Sequence, residues 1–450
     1  MRLPQHPENN ETSLQTVATI RRLLGNADFA ARHKVRRQDF TRHRCLDFMN
    51  TVVLLLQKTV RSAQLHLNEF FEGLGRGWFC VSASAWSQAR LKLRHTAFVE
   101  LNEQAVLAVV YGPASRFPRR DWRGHRLVAI DSSLMALPNV AEVGREFGWV
   151  ACRNQTGACG RYAQGRLSVL TDVSNRIALQ TLLVPWERSE RTLVPEHLAQ
   201  LAAGDVGLLD RGYASYELFA RFIAAGRSFV CRCGGSGFGV VDRLLAEDRA
   251  GQSVMVALRP PNGTVGEIRR SQLAEIITVR FVTVRLNTGE LEVLATNLLD
   301  EQKYETGAFG EVYGRRWGIE TYYGLLKSRL DLENFSGYSV EAVRQDVYAT
   351  VFLSNLESVL SAPAQQELAA ASAPAPAAQK INRAVSFHAI KHHLIQLLLS
   401  REPVAEVIVQ LSEVFRGNLV YQRPGRNVPR TKQSAWRSYR FQRNSKKAAY

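Results

Sequence analysis

No stretch of about 18 uncharged apolar residues occurs in the sequence, and the apolar segment TVVLLLQKTV is interrupted at Lys58, which excludes a helical membrane span. The amino terminus, MRLPQHPENNETS, is polar and has no signal-peptide core. Cysteine is scarce, with six in 450 residues, so a disulfide scaffold is excluded and a reducing cytoplasm is expected. Cys231-Arg232-Cys233 lacks the spacing of a zinc pair. His388 and His392 lie one helical turn apart but without Cys or acidic company, so they read as ordinary packed or exposed histidines.

Acidic residues are also few. The chain carries 41 Asp and Glu against 58 Lys and Arg, a net charge of +17 with pI near 9.9, and such a surplus attracts polyanions, nucleic acid first among them. The excess is concentrated: Arg21, Arg22, Arg32, Lys34, Arg36, Arg37, Arg42 and Arg44 meet only Asp28 and Asp39, and the ten Lys or Arg residues from Arg416 to Tyr450 meet no acid. At 46% hydrophobic residues the chain has ample material for a large core.

Residues 1 to about 120 read as mostly helical. In VSASAWSQARLKLRHTAFVELNEQAVLAVVYG, Ser82 or Ser84 caps a helix whose first turns carry Arg90, Lys92 and Arg94, consistent either with a helix-turn-helix on DNA or with a solvated helical bundle. From His125 short apolar strands take over. HRLVAID ends at Asp131, GRLSVLTDV and RIALQTLLV are neighbours, DVGLLDRGY ends its strand at Asp210, and SFVCRC follows a helix, together a mixed α/β sheet with crossovers. IITVRFVTVRL and LEVLATNL flank a turn at Asn287 to Glu290, an antiparallel insertion. SAPAQQELAAASAPAPAAQK is an Ala/Pro-rich linker, with two helices near 382–400 and 403–415 beyond it.

Asp131 and Asp210 each follow an apolar strand, where ligand sites of α/β sheets collect. Lone acids there are commonly turn or helix caps. In YGRRWGIETYYGLLK, however, Tyr313, Arg316, Glu320 and Lys327 fall on one narrow stripe of a helical wheel, with Ile319, Tyr322, Leu325 and Leu326 on another. If Glu320 joins the two aspartates, the three acids repel unless cations neutralise them. Hard divalent ions suit such a carboxylate set and phosphodiester chemistry. Arg316, Tyr313 and Lys327 would then track phosphates, and Trp317 borders the stripe, either stacking on a base or packing in the core.

The spacing Tyr313-x2-Arg316-x3-Glu320-x6-Lys327 resembles the signature of DDE-class transposases of the insertion-sequence-4 group. VAIDSS around Asp131, GDVGLLDRGYASYELFARFIAAGRSFVCR around Asp210, ATNLLD and VSASAWSQARLKL also match, over about residues 45 to 360; RPGRNVPR is familiar from such proteins too. The resemblance implies an α/β fold, a ribonuclease-H-like mixed sheet with an antiparallel β insertion, plus helical N- and C-terminal regions. It divides the chain into a DNA-binding region 1–120, a catalytic core 121–235 and 301–360, an insertion 236–300, a linker 361–381 and a tail region 382–450.

It implies Asp131, Asp210 and Glu320 as ligands of two Mg2+ ions, Mn2+ able to substitute. Tyr313, Arg316 and Lys327 would contact the DNA backbone; Arg211, after the second Asp, and Trp317, bordering the stripe, are further candidate DNA-binding residues. Double-stranded DNA, as transposon ends and target, is the partner of a homodimer in a synaptic complex, acting in the cytoplasm at the nucleoid. Some relatives stack an insertion-domain Trp on a flipped base; this chain has none between 236 and 300, leaving Trp149, Trp186 and Trp317 as alternatives. Another ribonuclease-H-like nuclease, or an inactive DNA-binding regulator, is the competing reading.

Overall fold

The computed structural model describes residues 10–42, 44–58, 62–77, 80–153, 159–235, 237–286, 289–371 and 379–421. RPGRNVPR and most of the basic tail lie outside these residues, as do Asn287 and Thr288 of the expected turn. The chain divides into two compact units, one of Met1–Pro118, Met135–Gly165 and Leu325–Tyr450, the other of Arg119–Leu134 and Arg166–Gly324.

The sheet is mixed and nine-stranded: β1 Arg126–Ala136, β2 Trp149–Arg153, β3 Cys159–Asp172, β4 Ile177–Pro185, β5 Asp205–Leu209, β6 Ser228–Cys233, β7 Ser253–Leu258, β8 Ile277–Arg285 and β9 Leu291–Thr296. Its order is β2-β3-β1-β5-β6-β9-β8-β7, with β4 also paired to β3. β1 runs parallel to β5, and β5 to β6. The β4-β3-β1-β5-β6 order with parallel β1, β5 and β6 is the ribonuclease-H-like arrangement. β5 is buried at all five residues: Val206 to Leu209 make the apolar run expected of a central parallel strand, and Asp205 at its start is buried as the ion-pair partner of Arg126 at 2.6 Å.

One strand differs from the sequence reading. β1 does not stop at Asp131 but continues five residues to Ala136, so Asp131 sits within the strand. The insertion adds β9, β8 and β7 to the edge of β6, Val230 to Cys233 pairing antiparallel with Thr296 to Val293. The β8–β9 hairpin itself is antiparallel from Arg280↔Thr296 to Arg285↔Leu291, with Gly289 at φ 86° in its turn, a conformation glycine adopts without strain.

The first unit is helical around a 32-residue helix, Val340–Ala371. Helices Glu11–Leu24, Phe48–Leu56, Thr96–Leu101, Arg383–Leu398 and Val404–Gly417 belong to the same unit. The long helix runs through Ser361, Pro363, Ala364, Gln365 and Leu368, all buried, so residues 361–371 are packed helix and not linker. Small side chains here allow close approach of neighbours rather than chain flexibility, which composition alone does not distinguish.

The same unit corrects one surface assignment. Ser82 does cap helix Ala83–Arg90, its Oγ accepting from Ala85 N at 3.2 Å. Arg90, though, stands in the last turn and is buried: its guanidinium donates to Gln345 Oε1, Ser336 Oγ, the Ala342 carbonyl and Asp346 Oδ1. It serves as the counterion of a buried aspartate, not as a DNA contact. Lys92 and Arg94 lie beyond the helix end, half-buried and exposed respectively.

Candidate functional site

The parallel pairing of β1 and β5 runs from Arg126↔Asp205 to Ala129↔Leu208. Asp131 and Asp210 each stand two residues past that last pair, so neighbouring strands carry them to the same level on the same face, with strand spacing of about 5 Å. Asp131 Oδ1 accepts from Ser132 N at 2.8 Å, and Asp210 Oδ1 from Arg211 N at 2.6 Å, capping the short turn of helix Arg211–Tyr213. Among the described residues neither aspartate has a Lys or Arg within ion-pair distance. Burial pushes the Asp131 carboxyl up to about 6; the Ser132 N–H and Arg316 oppose this, while the negative charges of Glu190 and, less strongly, Asp210 add to it.

The third acid arrives on helix Trp317–Ser328, with Glu320 in its first turn. Tyr323, one turn further, docks this helix: its hydroxyl donates to the Asp131 carbonyl at 2.8 Å and to that of Leu167 at 3.1 Å. Gly318 permits the approach, since a Cβ there would lie 3.0 Å from Val173 Cβ. Ile319, Tyr322, Leu325 and Leu326 are buried, as the wheel requires.

The charged stripe is not on one straight helix. Helix Ala308–Gly314 ends before Arg315 and Arg316, which form the joint to the next helix. Arg316 is buried there and donates to Glu320 Oε1 at 2.7 Å, with Tyr313 beneath it at 5.6 Å from guanidinium to ring centroid. Burial works against the charge of Arg316, but Tyr313, Glu320 and Asp210 together hold its pKa above the ordinary arginine value. Burial likewise raises the pKa of Tyr313, whose hydroxyl has no hydrogen-bond partner. Lys327 pairs with Glu333 at 3.3 Å. Arg211 is exposed and packs its chain against Gly234, where a Cβ would lie 2.6 Å from Arg211 Cδ.

Of the three tryptophans, Trp317 is exposed at 52%. Trp149 is held under the Arg161 guanidinium at 4.4 Å, and Trp186 keeps its Nε1 buried.

Among the described residues no group of three or more His, Cys, Asp and Glu side chains is close enough to hold a metal ion. The Glu320 carboxylate is engaged by Arg316. The donor chemistry nonetheless fits a hard divalent cation, since Asp131 and Asp210 are adjacent carboxylates with no cationic partner and one is penalised for its charge. Sequence reasoning missed a further acid at this place, Glu190, the first residue of helix Glu190–Leu198. Following Ser189, it looks like an ordinary acidic residue at a helix start.

A family model described as "Transposase DDE domain" matches residues 122–356. The chain is 23% identical over 283 residues to "Transposase InsG for insertion sequence element IS4" of Escherichia coli K12, covering 61% of this chain and 60% of that protein. It is 28% identical over 105 residues to the InsZ protein of the same strain, covering 23% and 34%. The matches thus span less than two thirds of each relative's length. Among solved structures, piggyBac transposase in a synaptic complex with hairpin DNA aligns with 96% of this chain and 91% of its own, at TM-score 0.43 and 10% identity. No described helix is long and apolar enough to cross a membrane.

Proposed function

This chain belongs to the Transposase DDE domain family, and from that premise we propose that it is a DNA transposase of an insertion sequence, binding the terminal inverted repeats and catalysing divalent-cation-dependent cleavage and strand transfer. One observation carries the reading: Asp131 and Asp210 stand side by side on adjacent parallel strands and, among the described residues, neither is in ion-pair contact with a Lys or Arg, Arg316 being bonded to Glu320. Such a pair is a seat for Mg2+ or Mn2+, and Glu320 joins it on releasing Arg316. When bound, divalent ions supply activation of the attacking water or hydroxyl and stabilisation of the departing 3′ oxygen.

The remaining roles fall to the chain itself. Arg316, once exchanged from Glu320, is freed to face a backbone phosphate at the cleavage point, supported from below by Tyr313. Exposed Trp317 stacks on a base or sugar next to it, and Arg211 and Lys327 hold flanking phosphates. A net charge of +17 supplies the non-specific attraction for DNA. Cutting two ends together calls for a homodimer.

The test is a labelled terminal-repeat duplex with Mg2+ or Mn2+. Asp131→Ala, Asp210→Ala and Glu320→Ala should retain end binding and lose cleavage, whereas a Glu320→Ala protein that still cuts refutes the site. Strand transfer of a precleaved end into a plasmid separates a transposase from a nuclease on the same scaffold, because a nuclease gives no joined product.

A further inference from the structure

Helix Ala63–Gly73, helix Arg383–Leu398 and residues 329–334 enclose a cavity of about 720 Å3 within the first unit. Gly73 lets the two helices close on each other, since a Cβ there would lie 2.9 Å from Ile395 Cδ1. Phe70, Leu330 and Ile395 give the cavity apolar walls, and Lys58 and Lys391 line it too.

The two lysines are locked to one another. Lys391 Nζ donates to the Lys58 carbonyl at 2.8 Å, and Gln57 Nε2 donates to the Lys391 carbonyl at 3.0 Å. The Lys58 side chain is 9% exposed, its Nζ 5.6 Å from the Phe335 ring centroid and 3.8 Å from Asp346 Oδ2. That aspartate is shared, for it also accepts from Arg90 and from Ser336 N.

Two ammonium groups are thus gathered out of water beside a carboxylate that another cation already engages. Burial, with the charge of Lys58 adding to it, pulls Lys391 down to about 8 against the opposing charge of Asp331, and burial lowers Lys58 as well. Among the described residues Glu69 and Asp331 are the acids of the lining, and both are exposed, as are Arg329, His388 and His392. The exposed part of the lining is mixed in charge; its buried part is cationic.

We propose that this cavity binds a phosphate monoester, its dianion on Lys58 and Lys391 and its organic part against Phe70, Leu330 and Ile395. A monoester carries close to two negative charges and so answers two ammonium groups, where a carboxylate answers one. Lysine takes phosphate as a point charge, without the fixed fork of arginine. A space of this order holds a small organic molecule, more than a bare oxyanion needs. A free nucleoside monophosphate and the 5′ end of a DNA strand present the same chemistry.

Adenosine 5′-monophosphate, with adenosine as its uncharged counterpart, is titrated calorimetrically into the full-length protein at about 0.1 M salt. The monophosphate should bind and adenosine should not. Lys391→Met removes the charge and should weaken the monophosphate about tenfold or more, while Arg22→Gln, at an exposed arginine of the same unit outside the cavity, should bind as wild type does. In the wild-type protein, where no variant has to fold, the monophosphate should shield Lys391 from acetic anhydride, as read by mass spectrometry.

Absent binding, equal binding of adenosine, an unaffected Lys391→Met or labelling indifferent to the ligand each overturns the site. A loss in Arg22→Gln equal to that in Lys391→Met also overturns it, by tracing the attraction to net charge. Oligonucleotides with and without a 5′ phosphate then separate the two sources. A preference for the phosphorylated strand that Lys391→Met abolishes assigns the strand end; equal binding of both strands assigns the free monoester.

Discussion

Replacing Asp131 with Asn should make the cation-free protein more stable at neutral pH. Burial raises this carboxyl from 3.8 to about 6, so between those values the native chain keeps a proton that the unfolded chain has lost, and stability falls as pH rises across the window. Above it the whole cost is present. A shift of roughly two units is worth about 3 kcal/mol at pH 7.5 and about half of that at pH 5, an upper bound that solvent access reduces to about 1 to 3 kcal/mol. Asn keeps the shape and an oxygen acceptor for Ser132 N without the charge. Urea denaturation of both proteins in chelator at pH 7.5 and pH 5 measures the difference, and other titrating groups cancel in the comparison. A variant no more stable than wild type at pH 7.5, or a gain that does not shrink at pH 5, refutes the idea that this carboxylate is held against its charge.

Three further outcomes follow from other sites. His197 is buried with Nδ1 donating to Gln180 Oε1 at 2.7 Å and Nε2 2.8 Å from Ser168 Oγ, and burial lowers its pKa to about 4; the unfolded chain takes up the proton first, so stability falls as pH drops from 6.5 towards 4, a slope that His197→Gln should flatten in denaturation curves. Arg90→Met should cost about 1 to 3 kcal/mol in urea denaturation, because Asp346 loses its nearer cation and keeps Lys58 at 3.8 Å, and the salt dependence of DNA binding by the folded fraction should not change. Trp317→Ala should leave stability within about 0.5 kcal/mol of wild type yet weaken binding to terminal-repeat DNA by about 1 to 3 kcal/mol in fluorescence anisotropy titrations.

The buried strand before Asp210 was legible because the uncharged run Val206 to Leu209 fits little else, and Asp131 because it closes a similar run. Their pairing at one level was not, since register is set between strands about 80 residues apart. The continuation of β1 through Ser132 and Ser133 escaped notice for want of an apolar alternation. Arg90 looked like a surface charge because its partner, Asp346, is 256 residues distant. Helical periodicity gave the buried side of the Glu320 helix correctly, but it projected Tyr313 and Arg316 onto the same cylinder, and the break at Arg315 and Arg316 leaves no mark in residue spacing. Glu190 was hidden by the most ordinary of contexts, an acid following a serine at a helix start.

Strand β9 lies against β6, and this has a practical consequence for anyone shortening the protein. Excising residues 236 to 300 would strip the hydrogen-bonding partners from Val230 to Cys233 and leave a bare sheet margin, an invitation to intermolecular stacking. The outermost ribbon, β7, already ends the sheet and is only partly covered. Tags or fused domains are better tolerated there than any deletion nearer the aspartates.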